Sequence, residues 1–146
     1  MPIAVDTNVL LPALRGGAAT SALALYLERL IPEPGLVLCA PVYAELAAAP
    51  GVTPDILDRF LHAGQMRVDF GLSRNLWLQA AAAYRAYADR RQAEGAGWPR
   101  RLLADCVIGA HAVLHADALL TYNGRDFGRL FPDLDVVEPP VVGEPS

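Results

Sequence analysis

Lysine is absent from the 146-residue sequence, so its twelve basic side chains other than histidine are all arginines. Sixteen acidic residues outnumber them, and the formal net charge is −4. A chain of this charge is not a general binder of polyanions, because its average field repels them. Any contact with nucleic acid must therefore come from a local cluster of arginines.

Cysteine and long apolar runs are also scarce. Only Cys39 and Cys106 occur, each flanked by apolar residues, which is typical of small core residues in a reducing compartment. The composition is 53% hydrophobic with a mean hydropathy of +0.27, yet no apolar run approaches the roughly 20 residues that span a bilayer. No basic leader precedes an apolar stretch, so we expect a cytoplasmic protein with no membrane contact.

Short apolar runs typical of β-strands alternate with longer helical patterns. This alternation favours an α/β fold with a mainly parallel sheet of four to five strands. The predicted strands are residues 3–5, 36–40, 66–68, 118–121 and 135–137. We interpret residues 1–138 as a single domain and the proline-containing residues 139–146 as a disordered tail.

Proline and hydroxyl residues mark the starts of predicted helices. Pro41 suits the first turn of a helix over 41–48. Thr53 and Ser73 are expected N-caps of the next two helices, the second of which reaches about residue 94. Further helices are predicted at 99–115 and near 127–131.

Four acidic residues lie where apolar segments end. Asp6 and Asp126 follow predicted strands, Glu45 lies one helical turn past another, and Asp105 lies in an otherwise apolar helix. A carboxylate beside buried sequence is costly unless something compensates it, and the carboxyl ends of parallel strands share one edge of the sheet. A hard divalent cation with oxygen ligands is the common compensation. The sequence therefore predicts a site for Mg²⁺ or Mn²⁺.

Each acid also has a structural interpretation when it is taken alone. Asp6 fits a helix cap, Glu45 a solvated helix position, and Asp126 a turn before Phe127. Asp105 is the hardest to explain in this way because apolar residues flank it. The prediction of a metal site rests on the four residues together.

Two histidines offer a different metal site. His111 and His115 are spaced as a zinc pair on one predicted helix face. The residue after His111 is Ala112, so the glutamate of a zinc-protease helix is missing. We interpret these histidines as structural.

Four segments, taken in order, resemble PIN-domain ribonucleases, and most of all the VapC toxins of VapBC toxin–antitoxin modules. They read VDTNVL at 5–10, YAEL at 43–46, LADCVIGA at 103–110 and LTYNGRDF at 120–127. The resemblance implies a three-layer α/β/α fold around the parallel sheet. It also implies a toxin that cleaves RNA internally, forms a homodimer and is neutralised by a VapB-type antitoxin.

By this resemblance the acids form a catalytic, metal-binding quartet for one or two Mg²⁺ or Mn²⁺ ions, namely Asp6, Glu45, Asp105 and Asp126. The fourth position has an alternative, because many family members carry an acid nearer the strand end, where this chain has Asn123. We assign Asp126 to the quartet and Asn123 to a contact with metal-bound water or substrate. Thr7, Asn8 and Thr121 are expected to orient carboxylates or waters around the ions.

RNA must also be held near such a site. Arginines cluster in the stretch before Asp105, at Arg85, Arg90, Arg91, Arg100 and Arg101. Arg125 and Arg129 flank Asp126, and Trp98 is placed to stack on an unpaired base. The same arginines equally fit a solvated face, or a surface that receives an acidic antitoxin segment.

Three other functions compete with a toxin nuclease. One is a PIN-type nuclease of RNA processing without an antitoxin, and another is a catalytically silent module that binds RNA or protein. The third is a haloacid-dehalogenase-type phosphatase, which needs a second aspartate where this chain has Asn8.

Overall fold

The computed structural model describes residues 1–16, 21–33, 35–95 and 103–140. Five parallel strands form one sheet in the order β3-β2-β1-β4-β5. Their bounds are β1 Ile3–Val5, β2 Leu36–Cys39, β3 Met66–Asp69, β4 Ala118–Leu120 and β5 Val136–Val137. The predicted parallel sheet is thus confirmed, and each predicted strand end is correct to within one residue.

Seven helices connect the strands within the described ranges: α1 Thr7–Leu14, α2 Ser21–Leu30, α3 Ala40–Ala47, α4 Pro54–Ala63, α5 Arg74–Ala93, α6 Leu103–His115 and α7 Gly124–Leu130. The two predicted caps are confirmed. The Thr53 hydroxyl accepts a hydrogen bond from the Ile56 amide at 3.2 Å, and the Ser73 hydroxyl accepts one from Leu76 at 3.1 Å. The first part of the predicted helix 99–115 lies outside the described residues.

Helix α7 begins earlier than predicted. It starts at Gly124, because the amides of Asp126 and Phe127 already donate to the carbonyl oxygen of Asn123 at 3.2 and 3.3 Å. Asp126 therefore lies in the first turn of this helix, and the interpretation of a turn before Phe127 was wrong. A carboxylate in the first turn of a helix interacts favourably with the helix dipole.

The strand order divides the helices between the two faces of the sheet. The chain moves outward from β1 through β2 to β3, then crosses to β4 and β5 on the other side of β1. Right-handed crossovers place α1–α4 on one face and α5–α7 on the other. The contacts agree, since α5, α6 and α7 pack against one another, as do α1 and α4 against α3. The fold is the expected three-layer α/β/α arrangement, with its switch point between β1 and β4.

Helix α6 is enclosed between the sheet and its neighbouring helices. Residues 106–112 are all buried, so the helix is covered on every side over two turns. Gly109 allows the closest approach, because a Cβ atom there would lie 2.3 and 2.5 Å from ring atoms of Phe131. This packing holds the first turn of α6, which carries Asp105, at the carboxyl edge of the sheet.

The end of the described chain returns to the domain. Pro139 is buried, and the Tyr122 hydroxyl donates to the carbonyl oxygen of Pro140. The rest of the predicted tail lies outside the described residues. None of the described helices combines the length and apolar character needed to cross a bilayer.

We predict that Gly109→Ala lowers the free energy of unfolding by about 1–2 kcal/mol, because the methyl group overpacks the contact with Phe131. Gly128→Ala on α7 is the matched control, since a Cβ there meets nothing within 4 Å. The control is expected to be neutral or to stabilise by up to about 1 kcal/mol through helix propensity. Urea denaturation of the two variants measures the difference, and equal stabilities would contradict the packing argument.

Candidate functional site

Asp6 is the buried anchor of the site. It directly follows β1, and its amide donates to the carbonyl oxygen of Leu120 at 3.0 Å. Its Oδ1 accepts from the Thr7 amide at 2.8 Å and caps α1, while its Oδ2 accepts from the Thr121 hydroxyl at 2.7 Å. Burial raises the pKa of Asp6, and these two hydrogen bonds oppose the increase. Asp6 is therefore a helix cap and a buried carboxylate at the sheet edge at once.

Thr121 joins the two strands at the switch point. It is fully buried, donates to Asp6 and accepts from the Asn123 amide at 3.0 Å. The side-chain carbonyl of Asn8 accepts from the Tyr122 amide at 3.3 Å. These bonds connect the turn after β1 to the turn after β4 and hold both turns in fixed positions.

Thr7 and Asn123 take different places in this network. The Thr7 hydroxyl donates to Glu45 Oε1 at 3.1 Å and so connects the start of α1 to α3. Asn123 enters through its backbone amide, and its side chain makes no capping bond to α7.

Asp105 is the acid whose pKa shows the influence of the other three. It lies half-buried in the first turn of α6, and its pKa is raised from 3.8 to about 6. Burial is the main cause, and the nearby charges of Asp6, Glu45 and Asp126 add to it. The fold thus brings Asp105 into electrostatic range of each of the other three acids, of which Glu45 and Asp126 are exposed at the surface.

The donor chemistry suits a hydrated divalent ion. Five ion pairs between described residues engage carboxylates outside the quartet, those of Asp55, Asp69, Asp89 and Asp117. Across the described ranges no three His, Cys, Asp or Glu side chains are arranged so that they could hold an ion by themselves. Mg²⁺ commonly keeps several waters and takes only one or two protein carboxylates. The carboxylates of the quartet, which repel Asp105, fit such a hydrated ion. Waters bound to the ion would bridge it to those carboxylates that do not contact it directly.

The described arginines near the site differ in their surroundings. Arg85 pairs with Asp89 one helical turn away, at 3.2 Å. Arg90 and Arg91 each place their guanidinium carbon 5.9 Å from the centre of the Tyr87 ring. Arg125 is exposed in the first turn of α7. The other predicted RNA contacts, Trp98, Arg100 and Arg101, lie outside the described residues.

A comparison with protein families identifies the domain. The sequence profile of the PIN domain matches residues 3–130. The chain belongs to the PIN-domain family. No curated protein sequence matches it.

Solved structures share the fold of this PIN domain. It is similar to a chain of VapBC2 from Rickettsia felis bound to a promoter DNA fragment, with a TM-score of 0.66, 19% identity and coverage of 96% and 100% of the two chains. It is also similar to VapBC-1 from nontypeable Haemophilus influenzae, with a TM-score of 0.60, 24% identity and coverage of 94% and 98%. For FitAcB from Neisseria gonorrhoeae the values are 0.55, 23%, 92% and 95%. At these identities the likeness shows the fold.

One acid of the PIN domain was missed by the sequence analysis. Asp69 ends β3 and so lies at the same edge of the sheet, but its Oδ2 is 2.8 Å from Nε2 of the fully buried His111. Arg67 contacts its other oxygen at 3.3 Å. Burial alone would raise the pKa of Asp69, yet these two partners lower it. Asp69 could have been found by the same criterion that selected Asp6, namely an acid at the end of a strand. It differs from the quartet because His111 and Arg67 occupy its carboxylate oxygens.

We predict that Asp105→Asn stabilises the metal-free PIN domain at high pH. A folded-state pKa of about 6 against an ordinary 3.8 means that the ionised carboxylate opposes folding above about pH 6. The cost disappears as the pH falls from 6 to 3.8. The variant should gain on the order of 1 kcal/mol near pH 8, allowing for solvent screening, and nothing near pH 4.

Thermal unfolding in the presence of a chelator, at several pH values, measures this gain. Asp55→Asn is the matched control, because Asp55 is exposed and pairs with Arg59. A gain that does not change with pH would contradict the convergence of the four charges.

Proposed function

We propose that this PIN domain is a metal-dependent endoribonuclease that hydrolyses RNA phosphodiesters. The observation that carries the proposal is the place of Asp105, a half-buried carboxylate in electrostatic range of the other three acids of the quartet. Burial is the main cause of its raised pKa, and these three charges add to it. Carboxylates whose pKa values are shifted by burial and by neighbouring charges concentrate at functional sites. Membership of the PIN-domain family supports the same reaction.

The quartet would hold one or two Mg²⁺ or Mn²⁺ ions through Asp6, Glu45, Asp105 and Asp126. A bound ion of this kind supplies an acidified water for in-line attack and neutralises charge on the leaving oxygen. The chain needs no nucleophilic side chain for this chemistry.

The surrounding residues have separate tasks in this proposal. Thr121 and the Thr7 amide hold the Asp6 carboxylate in one orientation. The Thr7 hydroxyl directs one oxygen of Glu45, whose exposed carboxylate can accept the proton of an attacking water. Asn8 holds the turn before Asp126 through the Tyr122 amide, and Asn123 is bonded in the same turn to Thr121 through its own amide. Both would position the edge of the sheet that the substrate contacts.

We further propose that the nuclease is a VapC-type toxin, which acts in the cytoplasm as a homodimer and is neutralised by a VapB-type antitoxin. The support is the likeness of the fold to chains of VapBC complexes over nearly their full length. A gene for a small antitoxin immediately upstream would favour the toxin over a PIN nuclease of RNA processing.

Divalent ions are expected to stabilise the wild-type protein. At about 100 times the dissociation constant, Mn²⁺ or Mg²⁺ should add about 2.7 kcal/mol to the free energy of unfolding. The response should weaken as the pH falls below about 6, because Asp105 then takes up a proton. Thermal shift and titration calorimetry measure both effects.

The matched variants for ion binding are Asp6→Asn and Asp105→Asn, with Asp55→Asn as the control of identical chemistry outside the site. The first two should lose the response and the third should keep it. Stabilisation by ions that survives both site substitutions would place the metal elsewhere.

Cleavage of a labelled single-stranded RNA tests the reaction itself. Asp6→Asn and Asp105→Asn should each reduce the rate at least about 100-fold, since both remove charge that the metal chemistry needs. Asp55→Asn should cleave like the wild type. A wild-type protein that binds RNA and metal without cleaving would instead establish the silent binding module.

A further inference from the structure

A basic depression lies between the last two turns of α5 and the end of α7. Its volume is about 570 Å³, and the described residues that line it are Tyr87, Arg90, Arg91, Glu94 and Arg129. Three positive charges and one negative charge give this lining a net charge of +2. A protein with an overall charge of −4 has concentrated positive charge at this place.

The cations of this depression are held by specific contacts. The guanidinium groups of Arg90 and Arg91 lie at the same distance, 5.9 Å, from the ring of Tyr87. Such cation–π contacts restrain long side chains that would otherwise be mobile. Arg90 Nη2 also donates to the carbonyl oxygen of Arg129 at 3.3 Å, which ties α5 to α7.

The depression is close to the candidate catalytic acids through α7. Arg129 follows Asp126 by three residues, so the two side chains lie on one face of the helix, with Cβ atoms about 5–6 Å apart. The start of α7 is at the switch point, where Thr121 and Asp6 meet. A strand of RNA with one phosphodiester at the acids would therefore carry a neighbouring phosphate towards Arg129.

The chemistry of the lining selects an anion with several acceptor oxygens. Guanidinium groups bind phosphate through parallel hydrogen bonds, and like charges held together gain most from a bound anion. Arg85, on the same helix, lies outside the lining and pairs with Asp89 at 3.2 Å. The face of Tyr87 is already occupied by the two arginines, so the lining favours a phosphate over a stacked base.

We propose that Arg90, Arg91 and Arg129 form a subsite for a backbone phosphate of single-stranded RNA, next to the phosphodiester that is hydrolysed, and that Tyr87 is the positioning residue for two of them. This inference rests on the proposed ribonuclease function. It groups Arg129 with Arg90 and Arg91 in one subsite and leaves Arg85 outside it. Because the contact is to the backbone, it positions RNA without reading its sequence.

Binding can be measured separately from cleavage. In the Asp105→Asn background, fluorescence anisotropy of a labelled single-stranded RNA gives the affinity over a range of salt concentrations. Arg91→Gln and Arg129→Gln should each weaken binding about tenfold, equally for different sequences. Each should also lower the slope of log affinity against log salt by about 0.7. Arg59→Gln on α4, exposed and paired with Asp55, is the control and should change neither quantity.

Tyr87 has its own matched pair of variants. Tyr87→Leu should weaken RNA binding, because Arg90 and Arg91 lose the aromatic ring that they contact. Tyr87→Phe should bind RNA like the parent protein, because the ring remains.

In the catalytically intact protein, Arg129→Gln should raise KM and leave kcat within about twofold. Circular dichroism melts confirm that each variant is folded.

The outcomes separate the subsite from the proposed function. If RNA binding and its salt dependence are unchanged in Arg91→Gln and Arg129→Gln while cleavage still needs Asp105, the subsite is wrong and the ribonuclease stands. If these variants bind RNA normally but lose a cognate antitoxin, the depression is a protein-binding surface and the proposal is overturned. Equal loss in Tyr87→Phe and Tyr87→Leu would refute the role of the ring.

Discussion

The structure depends on one buried carboxylate that has two hydrogen-bond donors. Asp6 lies at the point where the strand order reverses, and it joins the end of β1 to the cap of α1 and to Thr121 beyond β4. A buried charge without these donors would cost several kcal/mol. With them, the carboxyl ends of the two central strands are held in a fixed relation, and every other part of the candidate site is placed with respect to this junction.

Charge repulsion is the other constraint. Burial and the charges of the three other acids raise the pKa of Asp105, so the metal-free fold carries a cost that a divalent ion at the site would reduce. The rest of the fold must offset this cost, and the enclosure of α6 against the sheet, α5 and α7 provides the packing that does so. The acids thus lower the free energy of unfolding from one edge of the sheet, while a single hydrophobic core stabilises the rest of the domain.

The sequence predicted local features well and distant pairings poorly. Strands, helix caps and the parallel sheet follow from periodicity and from residues such as Thr53 and Ser73, because these signals lie within a few positions. Asp6, Glu45 and Asp126 were proposed for the quartet because strand ends share an edge, and Asp105 because it lies in an apolar helix. Asp69 meets the same criterion, but its partner His111 lies 42 residues away, and no local pattern contains that distance. The hydrogen bond from Arg90 to Arg129 spans 39 residues and could not be predicted from local sequence either. The pairing of Arg85 with Asp89 is of the i, i+4 kind that helix periodicity makes predictable.

Groups of opposite charge are neighbours on α7. Asp126 and Arg129 lie one helical turn apart on the same face of α7, so the acidic quartet and the basic depression adjoin there. In the proposed function, a cation at the acids and a phosphate at the arginines would each reduce the repulsion that the other ligand meets along the same edge. Binding free energies coupled in this way are reciprocal, so ion and RNA would each raise the affinity for the other. In this proposal a chain with a net charge of −4 would hold a polyanion best when an ion occupies its acidic cluster, and least well when the cluster holds no ion.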